Sequence, residues 1–211
     1  MVSFSETMWP KAVETLNGQI LMGKSIILND QLKKEYTDLY RNNSINPSRE
    51  AIVAQRVKII GANKARYQAV EKVTTVPWWM IACIHQMECS GDFKKHLHNG
   101  DPLTGKTTHV PKNRPLQGQP PFTWEASAID ALSINGEKNV KDRSLPAVLY
   151  RFELYNGMGY RQYHPKVKSP YLWSFTTAYV KGKYVADGKF DPEAVSQQIG
   201  VVCYLKAMKI F

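Results

Sequence analysis

Glu88 occupies a setting at odds with its own chemistry. It closes a run from Val76 to Met87 without a single charged side chain, in a chain where 22% of residues are charged. An ionised carboxylate beside apolar groups is poorly solvated, so the protonated form is favoured and the pKa rises. A carboxyl that keeps its proton near neutral pH can act as a general acid. Glycoside cleavage asks for such an acid on the leaving oxygen, plus a second group that serves as base, nucleophile or charge stabiliser. Asp101, in Asn99-Gly100-Asp101-Pro102, is the candidate second carboxylate. Asp92 is too near along the chain to reach across a sugar ring. The bland alternatives are an ion pair between Glu88 and Lys94 or Lys95, and a plain turn role for Asp101.

Histidines offer a competing chemistry. His85 and Glu88 stand three apart on one helix, and His96, His98 and His109 follow. Zinc accepts three such ligands and a water, yet the sequence holds no H-E-x-x-H pattern. We expect no metal and no cofactor. A second apparent motif, Gly18 to Ser25, fits the phosphate-loop spacing G-x-x-x-x-G-K-[ST]. Its interior, Ile20-Leu21-Met22, is apolar where small residues are needed, and no good strand precedes it. It reads as an ordinary turn. Sugar faces stack on aromatic rings, and Tyr155, Asn156, Tyr160, Tyr171 and Trp173 supply rings and an amide downstream of Glu88. With His85 and His98 they form the candidate substrate-binding set.

The elements that must position these residues follow from spacing. Pro77 suits a first helical turn and Gly91 an ending, which predicts a helix over 77–89 that is apolar on every side and therefore buried. At about 12 residues it is too short to span a membrane. Before it, Leu32, Tyr36, Leu39 and Tyr40 mark a helix over 30–40. Ser48 caps a long helix running to Val73 and broken near Gly61, with Ile52, Val53, Val57, Ile60, Tyr67 and Val70 inward. From Lys94 to Gln119, glycines and prolines exclude a long helix and suggest a hairpin or small irregular sheet. Helices resume at Thr123 as N-cap, at Ser144-Leu145-Pro146, and at Asp191-Pro192, the last packing Val195, Ile199, Val202 and Leu205.

Composition sets the outer bounds. The 211 residues suit one domain, with residues 1–29 as a possible N-terminal extension. Cys83, Cys89 and Cys203 match no zinc spacing; Cys83 and Cys203 read as small core residues, and no disulfide framework is expected. The net charge of +10 favours polyanionic partners. The basic residues form no run of five or six, which speaks against nucleic acid. No signal sequence opens the chain, so synthesis in a cytoplasm is expected.

A buried helix ending in Glu88, a small-residue turn through Ser90, Gly91 and Phe93, then His96-Leu-His-Asn-Gly-Asp101-Pro-Leu, resembles the lysozyme-like superfamily. That superfamily includes goose-type lysozymes, lytic transglycosylases and phage endolysins. The resemblance implies a predominantly helical α+β fold with a small β subdomain forming one wall of a cleft, and places the catalytic acid at Glu88. The Tyr155-Asn156-Gly157 match implies a cleft wall facing it, with Met158 a departure. Cys89, where transglycosylases usually have Ser directly after the Glu, is another. The implied activity is a peptidoglycan-degrading glycosidase, an endolysin or N-acetylmuramidase. It would cut the N-acetylmuramic acid–N-acetylglucosamine bond as a monomer, without stable membrane insertion. It would reach the wall through a membrane lesion or aboard a virion. The alternatives are a lytic transglycosylase on the same bond, a zinc-dependent wall hydrolase, or a non-catalytic glycan- or nucleic-acid-binding module.

Overall fold

The computed structural model describes residues 26–134, 141–186 and 188–211, with the backbone of a two-residue strand pair, β1 (Thr15–Leu16) and β2 (Gln19–Ile20). The phosphate-loop-like segment from Gly18 to Ser25 otherwise lies outside those residues, as does most of the 1–29 extension.

Asn29 accepts the Leu32 N–H at 2.8 Å and opens α1 (Asp30–Asn42), satisfying one of the donors a helix start leaves free. Leu32, Tyr36 and Tyr40, spaced by four, form its buried stripe. A 3-10 turn over Pro47–Arg49 leads into α2 (Glu50–Ala62), and after Asn63 the chain resumes as α3 (Lys64–Thr74). Ser48 sits within that 3-10 turn rather than capping the helix, and the break falls at Asn63 instead of Gly61. Val53, Ile60, Tyr67 and Val70 are buried, whereas Ile52 faces solvent.

The central helix is α4 (Trp78–Cys89), in which every residue from Met80 to Cys89 is buried. It follows Pro77, whose missing N–H is no loss at a helix start. It ends where Ser90 and Gly91 adopt left-handed φ values of 54° and 73°, letting the Gly91 N–H reach back to the His85 carbonyl at 3.1 Å. The Gln198 side chain takes up the Met87 carbonyl at 2.8 Å. Thr123 caps α5 (Trp124–Ile134) by accepting the Ala126 N–H at 3.2 Å. Then come α6 (Leu145–Asn156), α7 (Gly159–Tyr163), α8 (Pro170–Trp173), the antiparallel pair β3 (Lys183–Ala186) and β4 (Lys189–Asp191), and α9 (Val201–Ala207). Around α4, α3 packs against α4 and α5, while α9 packs against α2, α4 and α8. The fold is thus mostly helical with a small antiparallel sheet.

Two expectations change. The region 94–119 holds no named strand, only an isolated bridge between Lys95 and Pro102. Pro102, Pro111 and Pro115 bring no N–H to a ladder, and the Thr108 and His109 N–H groups bond to Asp101 instead. The antiparallel pairs of the described residues, β1–β2 and β3–β4, both lie outside this region. The final helix starts at Val201, ten residues later than Asp191. Asp191 closes β4, and its Oδ1 accepts the Glu193 and Ala194 N–H groups at 2.8 and 3.2 Å, a side-chain turn that competes with helix. Val195 is consequently half-exposed, while Ile199, Val202 and Leu205 are buried.

Candidate active site

Glu88 lies in the last turn of α4 and is 5% exposed. Burial pushes its carboxyl up to about 7, against the opposing pull of a hydrogen bond that the Tyr171 hydroxyl donates to Oε1 at 3.0 Å. Partial negative charge at the helix C-terminus acts in the same direction as burial. Tyr171 enters from α8 and is buried. Burial, then the Glu88 charge, then Tyr155 oppose its ionisation, so its phenol stays a neutral donor. Glu88, Tyr171 and Tyr155 are therefore neighbours, brought together from α4, α8 and α6.

His85, one turn before Glu88, belongs to a different cluster. Its ring is fully buried between Phe93 and Trp124, with centroids 4.5 and 4.7 Å away, and Nδ1 lies 3.0 Å from the Tyr67 hydroxyl. Burial lowers its pKa to about 4, so the ring is neutral. Arg66 stacks over Phe93 at 4.0 Å and grips Glu125 with two hydrogen bonds of 2.6 and 3.1 Å. This box holds the end of α4 against α3 and α5 and leaves His85 no exposed surface for a substrate.

Asp101 is the centre of a loop. Its Oδ2 accepts the Thr108 N–H at 2.7 Å, the His109 N–H at 3.0 Å and the Asn99 amide at 3.2 Å, and its Oδ1 lies 2.6 Å from His109 Nδ1. Burial alone would raise its pKa, but the hydrogen bonds from His109 and Thr108 bring it down to about 2. A carboxylate so firmly ionised and so fully bonded is a weak base, so of the roles open to a second carboxylate it suits charge stabilisation better than proton abstraction. His98 is also fully buried, its Nε2 2.7 Å from Asp130 Oδ2, an oxygen that Arg114 Nε also contacts at 2.9 Å. Ser127 Oγ stands 2.9 Å from His96 Nδ1 and 3.4 Å from His98 Nδ1. That Ser-His-Asp order is the order of a nucleophile triad, but Ser127 and His98 have no exposed surface, so the group ties α5 to the 96–105 loop.

The remaining aromatic candidates divide. Tyr155 and Asn156 are half-buried at the end of α6. Tyr160 is buried, and its hydroxyl accepts the Tyr184 N–H at 3.1 Å, fixing β3. Trp173 is 1% exposed and packs in the core, so neither it nor Tyr160 presents a face to a sugar. Residues not singled out from sequence include Tyr67, read only as an inward apolar position, and the buried group Tyr36–Glu153–Arg161. There Glu153 Oε2 receives the Tyr36 hydroxyl at 2.5 Å and Arg161 Nε at 2.8 Å. A polar pair 117 positions apart in sequence leaves no local signal.

Two surface concavities, of about 510 and 450 Å³, run along α1 and share Gln31 and Glu35; Glu88 lines neither. Among the described residues, no three His, Cys, Asp or Glu side chains converge as a metal-holding group. His85, His96, His98 and His109 instead bond to Tyr67, Ser127, Asp130 and Asp101 respectively. No helix of the described residues is long and apolar enough to cross a membrane. The chain matches no protein-family model, no curated protein and no solved structure.

Proposed function

We propose that the chain is a lysozyme-like glycosidase of peptidoglycan, with Glu88 as general acid at the bond between N-acetylmuramic acid and N-acetylglucosamine. One observation carries the reading. The single carboxyl on the buried central helix has its pKa near 7 and is oriented by a buried phenol. Such a group donates its proton to the leaving glycosidic oxygen and is left as a carboxylate able to take a proton back. The net charge of +10 suits a substrate carrying peptide carboxylates.

Asp101's commitment to its loop favours a second version, lytic transglycosylation. Glu88 then acts alone, first as acid, then as base toward the sugar's own hydroxyl, whose oxygen closes on the anomeric carbon. Digestion of purified peptidoglycan followed by mass spectrometry tests both. Hydrolysis leaves reducing ends; transglycosylation leaves anhydro ends lighter by one water. Intact glycan strands with cut peptides would rule out glycosidase action.

A further inference from the structure

His109 is the one histidine of the 96–109 stretch that reaches solvent, with its side chain 79% exposed. Its orientation is nonetheless fixed. Nδ1 lies 2.6 Å from Oδ1 of the buried Asp101, and the His109 N–H is bonded to the other carboxylate oxygen. Asn99 Nδ2 donates to the His109 carbonyl at 3.0 Å. The turn that carries the ring is closed by Thr107, whose N–H bonds to the Arg114 carbonyl at 2.8 Å and whose carbonyl accepts the Asn113 N–H at 2.8 Å. Thr107 Oγ1 also accepts the Arg114 N–H at 2.9 Å. The turn is tied to the end of the central helix as well. The Asp101 carbonyl accepts the His96 N–H at 2.7 Å, and the His96 carbonyl accepts the thiol of Cys89, the neighbour of Glu88, at 3.2 Å.

A carboxylate is only an acceptor, so the neutral imidazole facing it must carry its proton on Nδ1 and expose Nε2 as a lone pair. A mobile surface histidine would sample both tautomers and many rotamers; in its neutral form this one is held to a single tautomer on a hydrogen-bonded turn. We propose that His109 is a substrate-contacting residue. Its Nε2 accepts a hydroxyl or acetamido N–H hydrogen of the glycan, and Asp101 is the positioning residue that fixes its tautomer. The proposal rests on the glycan-substrate reading above.

Substituting Asp101→Asn tests the tautomer. The amide oxygen keeps the Thr108 and His109 N–H bonds, while the amide N–H₂ now faces Nδ1 and moves the ring proton to Nε2. The exposed nitrogen then changes from acceptor to donor with the turn retained. The experiment is nitrogen-15 NMR of the imidazoles in Glu88→Gln protein during titration with solubilised peptidoglycan fragments. The expected result is a ligand-dependent shift of His109 Nε2 and roughly tenfold weaker binding in both His109→Ala and Asp101→Asn. The Asp101→Asn protein should also show an inverted tautomer signature. Amide shifts elsewhere with a static His109 ring, or unchanged affinity in His109→Ala, overturns the proposal while sparing the glycan reading. No ligand-dependent shift anywhere sinks both.

Discussion

The Tyr171 hydroxyl donates to Glu88 Oε1 across 3.0 Å, between two side chains that are both buried. The bond occupies one carboxyl oxygen and leaves the acid proton to the other. It also opposes the effect of burial on Glu88's titration. The carboxyl is thereby held near the pH at which proton donation and recovery are balanced.

Turnover should follow the protonated fraction of Glu88 and fall as pH rises through about 7. Glu88→Gln keeps shape and removes the transferable proton. It should lower kcat by about 10²–10⁴-fold, the usual worth of a general acid, with far-ultraviolet circular dichroism unchanged. Retained turnover in this variant would mean that another group delivers the proton.

The same carboxyl makes stability depend on pH in a definite direction. Its folded pKa of about 7 lies above the ordinary glutamate value of 4.5, so the folded state binds the proton more tightly. The protonated fold is fully stable below about 4.5 and loses stability as pH rises through about 7, by up to ~3 kcal/mol. Glu88→Gln lacks this penalty. Its Tm relative to the parent protein should climb between pH 5 and 8 and then level off. Thermal unfolding at several pH values would show this, and a flat difference would place Glu88 in water.

Tyr171→Phe removes the donor that favours the carboxylate. The alkaline limb of the kcat profile should therefore move to higher pH, with stability reduced by about 1 kcal/mol for one lost buried hydrogen bond. A pH–rate profile beside a urea titration separates the two effects. Movement of the limb toward acid would show that the phenol accepts from Glu88 rather than donating to it.

Arg161 sits between Glu153 and Glu35, with its guanidinium 4.8 Å from the centre of the Tyr36 ring. Replacing it by Leu strands Glu153, which is 2% exposed, beside the Tyr36 hydroxyl alone. Loss of one partner of a buried pair should reduce stability by about 3–5 kcal/mol. Adding Glu153→Met should restore much of it. Guanidinium titrations of the single and double variants measure both.

The sequence was most informative where local pattern decides structure. Pro77, twelve uncharged positions and Gly91 set the limits of α4, and Leu32, Tyr36 and Tyr40 mark the inner face of α1. Glu88's burial follows from that same uncharged run. What could not be read depends on partners distant along the chain. Tyr171 meets Glu88 from 83 positions away, and Ser127 joins His96 from 31. Asp101 was ambiguous for a nearer reason. A carboxylate in N-G-D-P reads equally as a cleft group or a turn anchor, and the choice depends on where the Thr108 and His109 N–H groups turn. Aromatic side chains such as Trp173 carry no mark that separates a sugar platform from a core filler.

Gly91 is a position where the site's geometry depends on the absence of a side chain. Its φ of +73° is left-handed, and a Cβ there would lie 2.4 Å from Gln86 Nε2. Gln86 is itself buried, so its amide has little room to retreat. Gly91→Ala combines the left-handed strain of an L side chain, about 1–2 kcal/mol, with displacement of that amide. The substitution should lower stability by roughly 2–3 kcal/mol in all. Because Gly91 closes α4 three residues after Glu88, the displaced turn should also lower kcat more than it raises KM. Ser90, with φ of 54°, provides the contrast. Ser90→Gly relieves an unfavourable backbone without adding atoms, and should raise Tm slightly. Opposite signs at two adjacent positions, read by thermal unfolding, would tie both effects to backbone handedness; equal losses at both would point to side-chain contacts instead.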